Sequence, residues 1–198
     1  MEQVMRRSVF ALAMPAALLA LAGCGGTATS EPGGDMNAAD LEFVTEGYNL
    51  VTFDREECSL APTYAVTPAV KEIATKLLKD ANAFAAKADP IIKARGIKLP
   101  TELRADLRVR LYHIRLNRGL DFDRSFIDDQ IASHEEALYR SEMLLGTPGQ
   151  NPQTVALAKE GIETVRQNLA ALRAIQKQLP PAEPAKGPFG LPPPPFVK

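Results

Sequence analysis

Three polar side chains fall on faces that the surrounding pattern makes apolar. His134 sits in a stripe with Ile127, Ile131, Leu138 and Leu145. Asp54 lies in the apolar arc between Gly47 and Cys58, and Asp80 borders a stripe running from Val70 to Ile91. Two carboxylates and an imidazole turned into a helical bundle are the materials of a site for a divalent metal, with Asp54, Asp80 and His134 as the candidate ligands. They are equally the materials of a structural network, since a buried carboxylate needs a partner and His134 offers one. Spacing alone favours the network. No Glu-x-x-His pair is present, because Ile131 stands three residues before His134, so a carboxylate-bridged di-iron centre lacks its usual ligands.

Little else in the sequence carries chemistry. His113 stands among Arg108, Arg110, Arg115 and Arg118, an arrangement able to hold phosphate or acidic lipid but read more simply as a solvated helix surface. There is no Gly-rich phosphate loop, nucleophile elbow or recognisable triad, and no catalytic residue is assigned. The 23 basic and 24 acidic residues balance to a net charge of −1, which leaves no electrostatic footprint for nucleic acid. Trp is absent and other aromatics are few, so a stacking platform is not expected either.

The elements that must position these residues are all helical. Ala, Leu, Lys, Arg and Glu dominate the middle of the chain, without runs of alternating β-branched residues. A first helix is expected over about 38–61, with Phe43, Val44, Gly47, Tyr48, Val51 and Cys58 on one face and Pro62 as its stop. Thr67-Pro68 starts a second, with Pro at the first helical position, and Gly96 ends it. A shorter helix spans about 101–117. Two long ones follow over 121–145 and 152–179, separated by Gly146-Thr147-Pro148-Gly149. Four long amphipathic helices with short links predict an all-α domain: a four-helix bundle with one extra short helix, occupying 38–179.

The chain's ends differ from its middle. Arg6-Arg7 precede an apolar run from Ser8 to Ala22 that Pro15 interrupts. That run is shorter than the roughly 20 residues of a spanning helix, as in a cleaved signal. Leu21-Ala22-Gly23-Cys24 then resembles the lipobox of bacterial lipoproteins. The resemblance implies cleavage before Cys24, a signal peptide over 1–23, and acylation of Cys24, which anchors the chain to membrane lipid. Gly25 in place of an aspartate implies the outer membrane, on its periplasmic side. Residues 24–37 are Gly/Ser/Thr-rich and read as a flexible tether. Residues 180–198 hold half of the 16 prolines and read as a disordered tail or an extended arm to cell wall or an envelope protein. With Cys24 lipidated, Cys58 has no intramolecular partner and is expected as a small buried apolar residue.

From Leu41 to Leu179 the order of segments resembles the ferritin-like domain of unknown function 4142 family, also labelled outer-membrane proteins. The matching pieces are Phe43-Val44, Phe53-Asp54, Thr67-Pro68-Ala69-Val70-Lys71, Gly96-Ile97-Lys98-Leu99-Pro100, Gly119 with Phe122-Asp123-Arg124, and His134. The resemblance implies a ferritin-like bundle. It also implies a site that this chain has depleted. Ala81 follows Asp80 where the family has His, Asn168 stands where the last helix carries His, and Asp54 replaces Glu. The resulting expectation is a membrane-anchored periplasmic lipoprotein, a binding or structural envelope protein rather than an enzyme. The alternative is a metal-binding or redox ferritin-like domain with a reduced Asp/His site.

Overall fold

The computed structural model describes residues 35–181. The expectations for the signal segment, for Cys24, and for most of the tether and tail lie outside the described residues. The described chain forms five helices and no strands: α1 (Ala38–Tyr64), α2 (Pro68–Arg95), α3 (Ala105–Ile114), α4 (Gly119–Gly146) and α5 (Pro152–Gln178).

Cross-helix hydrogen bonds give the topology. Asp40, at the start of α1, meets Asn151 before α5. Asp123, at the start of α4, meets Val66 and Thr67 before α2. Helix α1 therefore runs up and α2 down. The segment through α3 climbs back along the outside, α4 runs down and α5 up. Two antiparallel hairpins joined by one long crossover form an all-α, ferritin-like four-helix bundle with α3 as the extra short helix.

The helix boundaries follow from the sequence with two corrections. Pro62 does not end α1, which runs on to Tyr64. A proline in the last turn forfeits one backbone bond where few remain to be lost, so the helix tolerates it. Helix α3 is also shorter at both ends than the expected 101–117. Elsewhere the signals hold. Thr67 and Pro68 occupy the N-cap and first helical positions of α2, and Gly96 closes it in the left-handed region at φ 60°.

The core has two dry ends and an incomplete middle. Near the α1–α2 link, Phe53, Phe122, Phe126, Ile127, Leu107 and Leu172 are fully buried, with Phe122 stacked on Phe126 at 5.7 Å between ring centres. At the other end Phe43, Val44, Ile91, Ile92, Leu144, Leu157 and Ala158 pack together. Between them lie Val51, Ala81 and Ala85, with Phe84 packed against them. These are smaller groups, and they leave space.

Candidate functional site

The space is a cavity of about 140 Å³ walled by all four long helices. Helix α1 contributes Phe43, Gly47, Leu50, Val51 and Asp54; α2 contributes Leu77, Asp80, Ala81, Phe84 and Lys87. Helix α4 adds His134, Ala137, Arg140 and Ser141, and α5 adds Leu157, Glu160, Gly161, Thr164, Val165 and Asn168. The walls are mostly apolar, with polar groups gathered around one level. On the α2–α5 side the exposed Lys87 and Glu160 form an ion pair across the rim.

Two glycines shape this wall. A Cβ on Gly47 would lie 3.7 Å from the Phe84 ring, and one on Gly161 would lie 3.4 Å from its other edge. The ring thus sits between the backbones of α1 and α5, close to both. Sequence reading placed Gly47 on the inward face but gave Gly161 no role, because periodicity cannot show which residue of a neighbouring helix a glycine faces.

All three candidate ligands, Asp54, Asp80 and His134, line this one cavity. They meet each other through intermediaries. Asp80 Oδ2 accepts from Lys76 Nζ at 2.7 Å and from Asn168 Nδ2 at 3.1 Å. Lys76 also donates to Asn168 Oδ1, which fixes the orientation of that amide. Asn168 Nδ2 then faces His134 Nε2 at 3.3 Å, while His134 Nδ1 faces the Gln130 carbonyl at 2.9 Å. The carbonyl can accept from Nδ1–H and the amide can donate to Nε2. The buried His134 therefore belongs to a polar network, but its partners are an amide and a carbonyl rather than a carboxylate. Among the described residues no three His, Cys, Asp or Glu side chains are grouped to share a metal ion. The Lys76 ammonium bonds both Asp80 and Asn168.

Asp54 is bonded differently. Its Oδ1 accepts from Ser133 Oγ at 2.9 Å and from Gln130 Nε2 at 3.3 Å, and among the described residues it has no ion pair. Part of its surface stays open. Burial nevertheless raises the carboxyl above the usual aspartate range, with the His134 ring and the bonds from Ser133 and Gln130 pulling it part of the way back.

Behind Asp54 lies a residue that the sequence reading missed. Glu57 is fully buried and accepts from Gln130 Nε2, yet its Oε1 and the Oε1 of Gln130 have no hydrogen-bond partner. Burial, then the charges of Asp129 and Asp54, drives its carboxyl well above the usual range. Cys58 is buried and free, as expected, and burial first and the two neighbouring carboxyls next push its thiol far up, which makes it unreactive.

Of the arginines around α3, Arg108, Arg115 and Arg118 are exposed, as expected, and Arg110 is half-buried. Arg110 pairs with Asp129 and lies over the Phe53 ring at 4.6 Å, Arg108 pairs with Glu102, and Arg115 pairs with Glu56. Arg118 covers Tyr64 at 3.3 Å, while His113 is exposed. Arg104 was also unread. It bridges Glu46 of α1, Asp106 of α3 and Glu136 of α4, and holds the crossover against the bundle.

Fold and site together define an all-α crossover bundle with a small, largely apolar chamber at its centre. The chain belongs to the family described as Domain of unknown function (DUF4142), whose model matches residues 26–175. Its fold is similar to that in the crystal structure of a DUF305 fragment from Deinococcus radiodurans. The TM-score is 0.65 at 11% identity, over 73% of this chain and 99% of that one. No curated protein matches the chain.

Proposed function

We propose that this protein is a lipid-anchored lipoprotein of the cell envelope whose bundle domain acts by binding a small molecule rather than by catalysis. The supporting observation is the central cavity. The pocket is largely apolar and opens to solvent at the Lys87–Glu160 rim, so a small molecule can reach it. Its dimensions match the roughly 150 Å³ engineered cavity that admits benzene. Most polar groups around it pair with one another, Asp80 with Lys76 and Glu160 with Lys87 among them.

Anchoring through Cys24, on the periplasmic side of an outer membrane, rests on the lipobox-like segment and the short apolar run before it. Metabolic labelling with palmitate tests it: label is expected on the wild type and absent from Cys24→Ala, and equal labelling of both would remove the anchor. Binding is tested by titrating the purified protein with toluene and following the methyl and aromatic NMR signals of cavity residues. Saturable shifts at Val51, Phe84 and Leu157 are expected; an unresponsive spectrum up to the solubility limit would remove this reading. The metal-binding alternative is supported by the shared cavity position of Asp54, Asp80 and His134. Elemental analysis of protein purified without chelator decides it, since a stoichiometric metal lost on His134→Ala would favour the metal over the organic ligand.

A further inference from the structure

The charges around the cavity do not cancel, and the remainder points to a ligand. Three carboxylates reach the lining: Asp54, Asp80 and Glu160. Asp80 is neutralised by Lys76, and Glu160 by Lys87. Arg140 is occupied by Glu136, Glu46 and Glu42. His134 faces the Gln130 carbonyl and the Asn168 amide. Of these three carboxylates Asp54 alone makes no ion pair among the described residues. Both hydrogen bonds described to it, from Ser133 and Gln130, end on Oδ1, which leaves Oδ2 without a donor.

We propose that the cavity takes a small aromatic amine in its protonated form, the ammonium meeting Asp54 and the ring lying toward Val51 and Phe84. This inference rests on the binding role proposed above and names the class of ligand. Two features favour it over a neutral hydrocarbon of the same size. A carboxylate in a low-dielectric chamber is costly without a charged partner, and an ammonium supplies both the charge and the donors that Oδ2 lacks. Phe84, edge to face with Phe43 at 6.5 Å, reaches the lining and gives it aromatic surface. An anionic ligand is disfavoured by the same carboxylate, and a ligand much larger than one ring exceeds the space.

The test compares benzylamine, benzyl alcohol and toluene by calorimetric or NMR titration of the full chain near neutral pH. Benzylamine is expected to bind about tenfold or more tighter than benzyl alcohol, the order of one charge-assisted hydrogen bond in a desolvated site. In Asp54→Asn that advantage should vanish while toluene binding stays within a factor of about two, as expected for a term that is only area burial. Benzylamine binding no tighter than benzyl alcohol in the wild type would overturn the proposal, with no variant required. So would an advantage that survives Asp54→Asn. Toluene binding without any benzylamine preference would leave the cavity as a binding site but remove the amine, whereas failure of all three probes would remove the binding role itself.

Discussion

Asp40 and Asp123 lie as deep in the bundle as Glu57, and all three are carboxylates, but the ends of the molecule and its middle treat them in opposite ways. Asp40 exchanges bonds with Asn37 in a capping box and accepts from the Asn151 backbone at 3.0 and 3.1 Å and from the Thr154 hydroxyl. Asp123 accepts from the Val66 and Thr67 amides at 3.2 and 2.8 Å. Each carboxylate thus sits at the N-terminus of a helix from the other hairpin, where free N–H groups and the helix dipole favour negative charge. The middle of the bundle gives its acids less. Glu57 has an unpartnered oxygen, and Asp54 makes no ion pair among the described residues. The ends use buried acids to tie the two hairpins together. The middle keeps acids beside an unfilled space, at the expense of stability.

The contrast predicts a graded series of effects. Asp40→Ala should be the most damaging, because it strands several buried donors at the start of α5; a loss of about 3 kcal/mol is expected in urea or thermal unfolding. A loss below about 1 kcal/mol would mean that the ends are not fastened as described. Glu57→Gln should act in the other direction and depend on pH. The folded carboxyl is raised, so the folded state holds its proton more tightly than the unfolded chain does. Glu57's contribution is therefore fully present below the ordinary glutamate range near 4.5 and is lost as pH climbs toward its raised value. The variant should melt higher than the wild type at neutral pH, and the gap should close toward pH 4.5. Parallel melting curves at both pH values would contradict the raised Glu57 carboxyl. The smallest effect is expected at the rim, where Lys87→Ala breaks an exposed ion pair and should shift stability by less than about 0.5 kcal/mol. Its mark should appear instead in faster probe entry, read from NMR line shapes.

Much of the fold was legible in the sequence because helices announce themselves locally. Apolar periodicity placed four long helices, and Gly96 and Thr67-Pro68 marked their ends. Pro62 misled, since a proline reads as a stop wherever it stands, while its actual effect depends on how many bonds lie beyond it. The site was legible only in part. Asp54, Asp80 and His134 stood out as polar groups on apolar faces, and they do share one cavity. Their partners, Ser133, Gln130, Lys76 and Asn168, were not legible, because they depend on the register between helices rather than on the pattern within one. Glu57 was missed for a related reason. It adjoins the apolar face through Cys58 and reads as the helix's polar side until α4 is packed over it. A signal for Asp40 did exist, in Asn37-x-x-Asp40 immediately before an apolar run, but it speaks of one helix start and not of the second helix that the same carboxylate caps.

The central claim is that the gap in the middle of the bundle is a binding site and not a packing fault, and filling it tests that claim most directly. Ala137→Leu places a larger side chain against the cavity from α4. Stability and toluene binding are then measured on the same protein. The account predicts that the variant is as stable as the wild type, or more stable by about 1 kcal/mol, and that it no longer binds the probe. A variant that gains stability while binding toluene as the wild type does would show that the probe sits elsewhere, and the cavity would lose its assigned role.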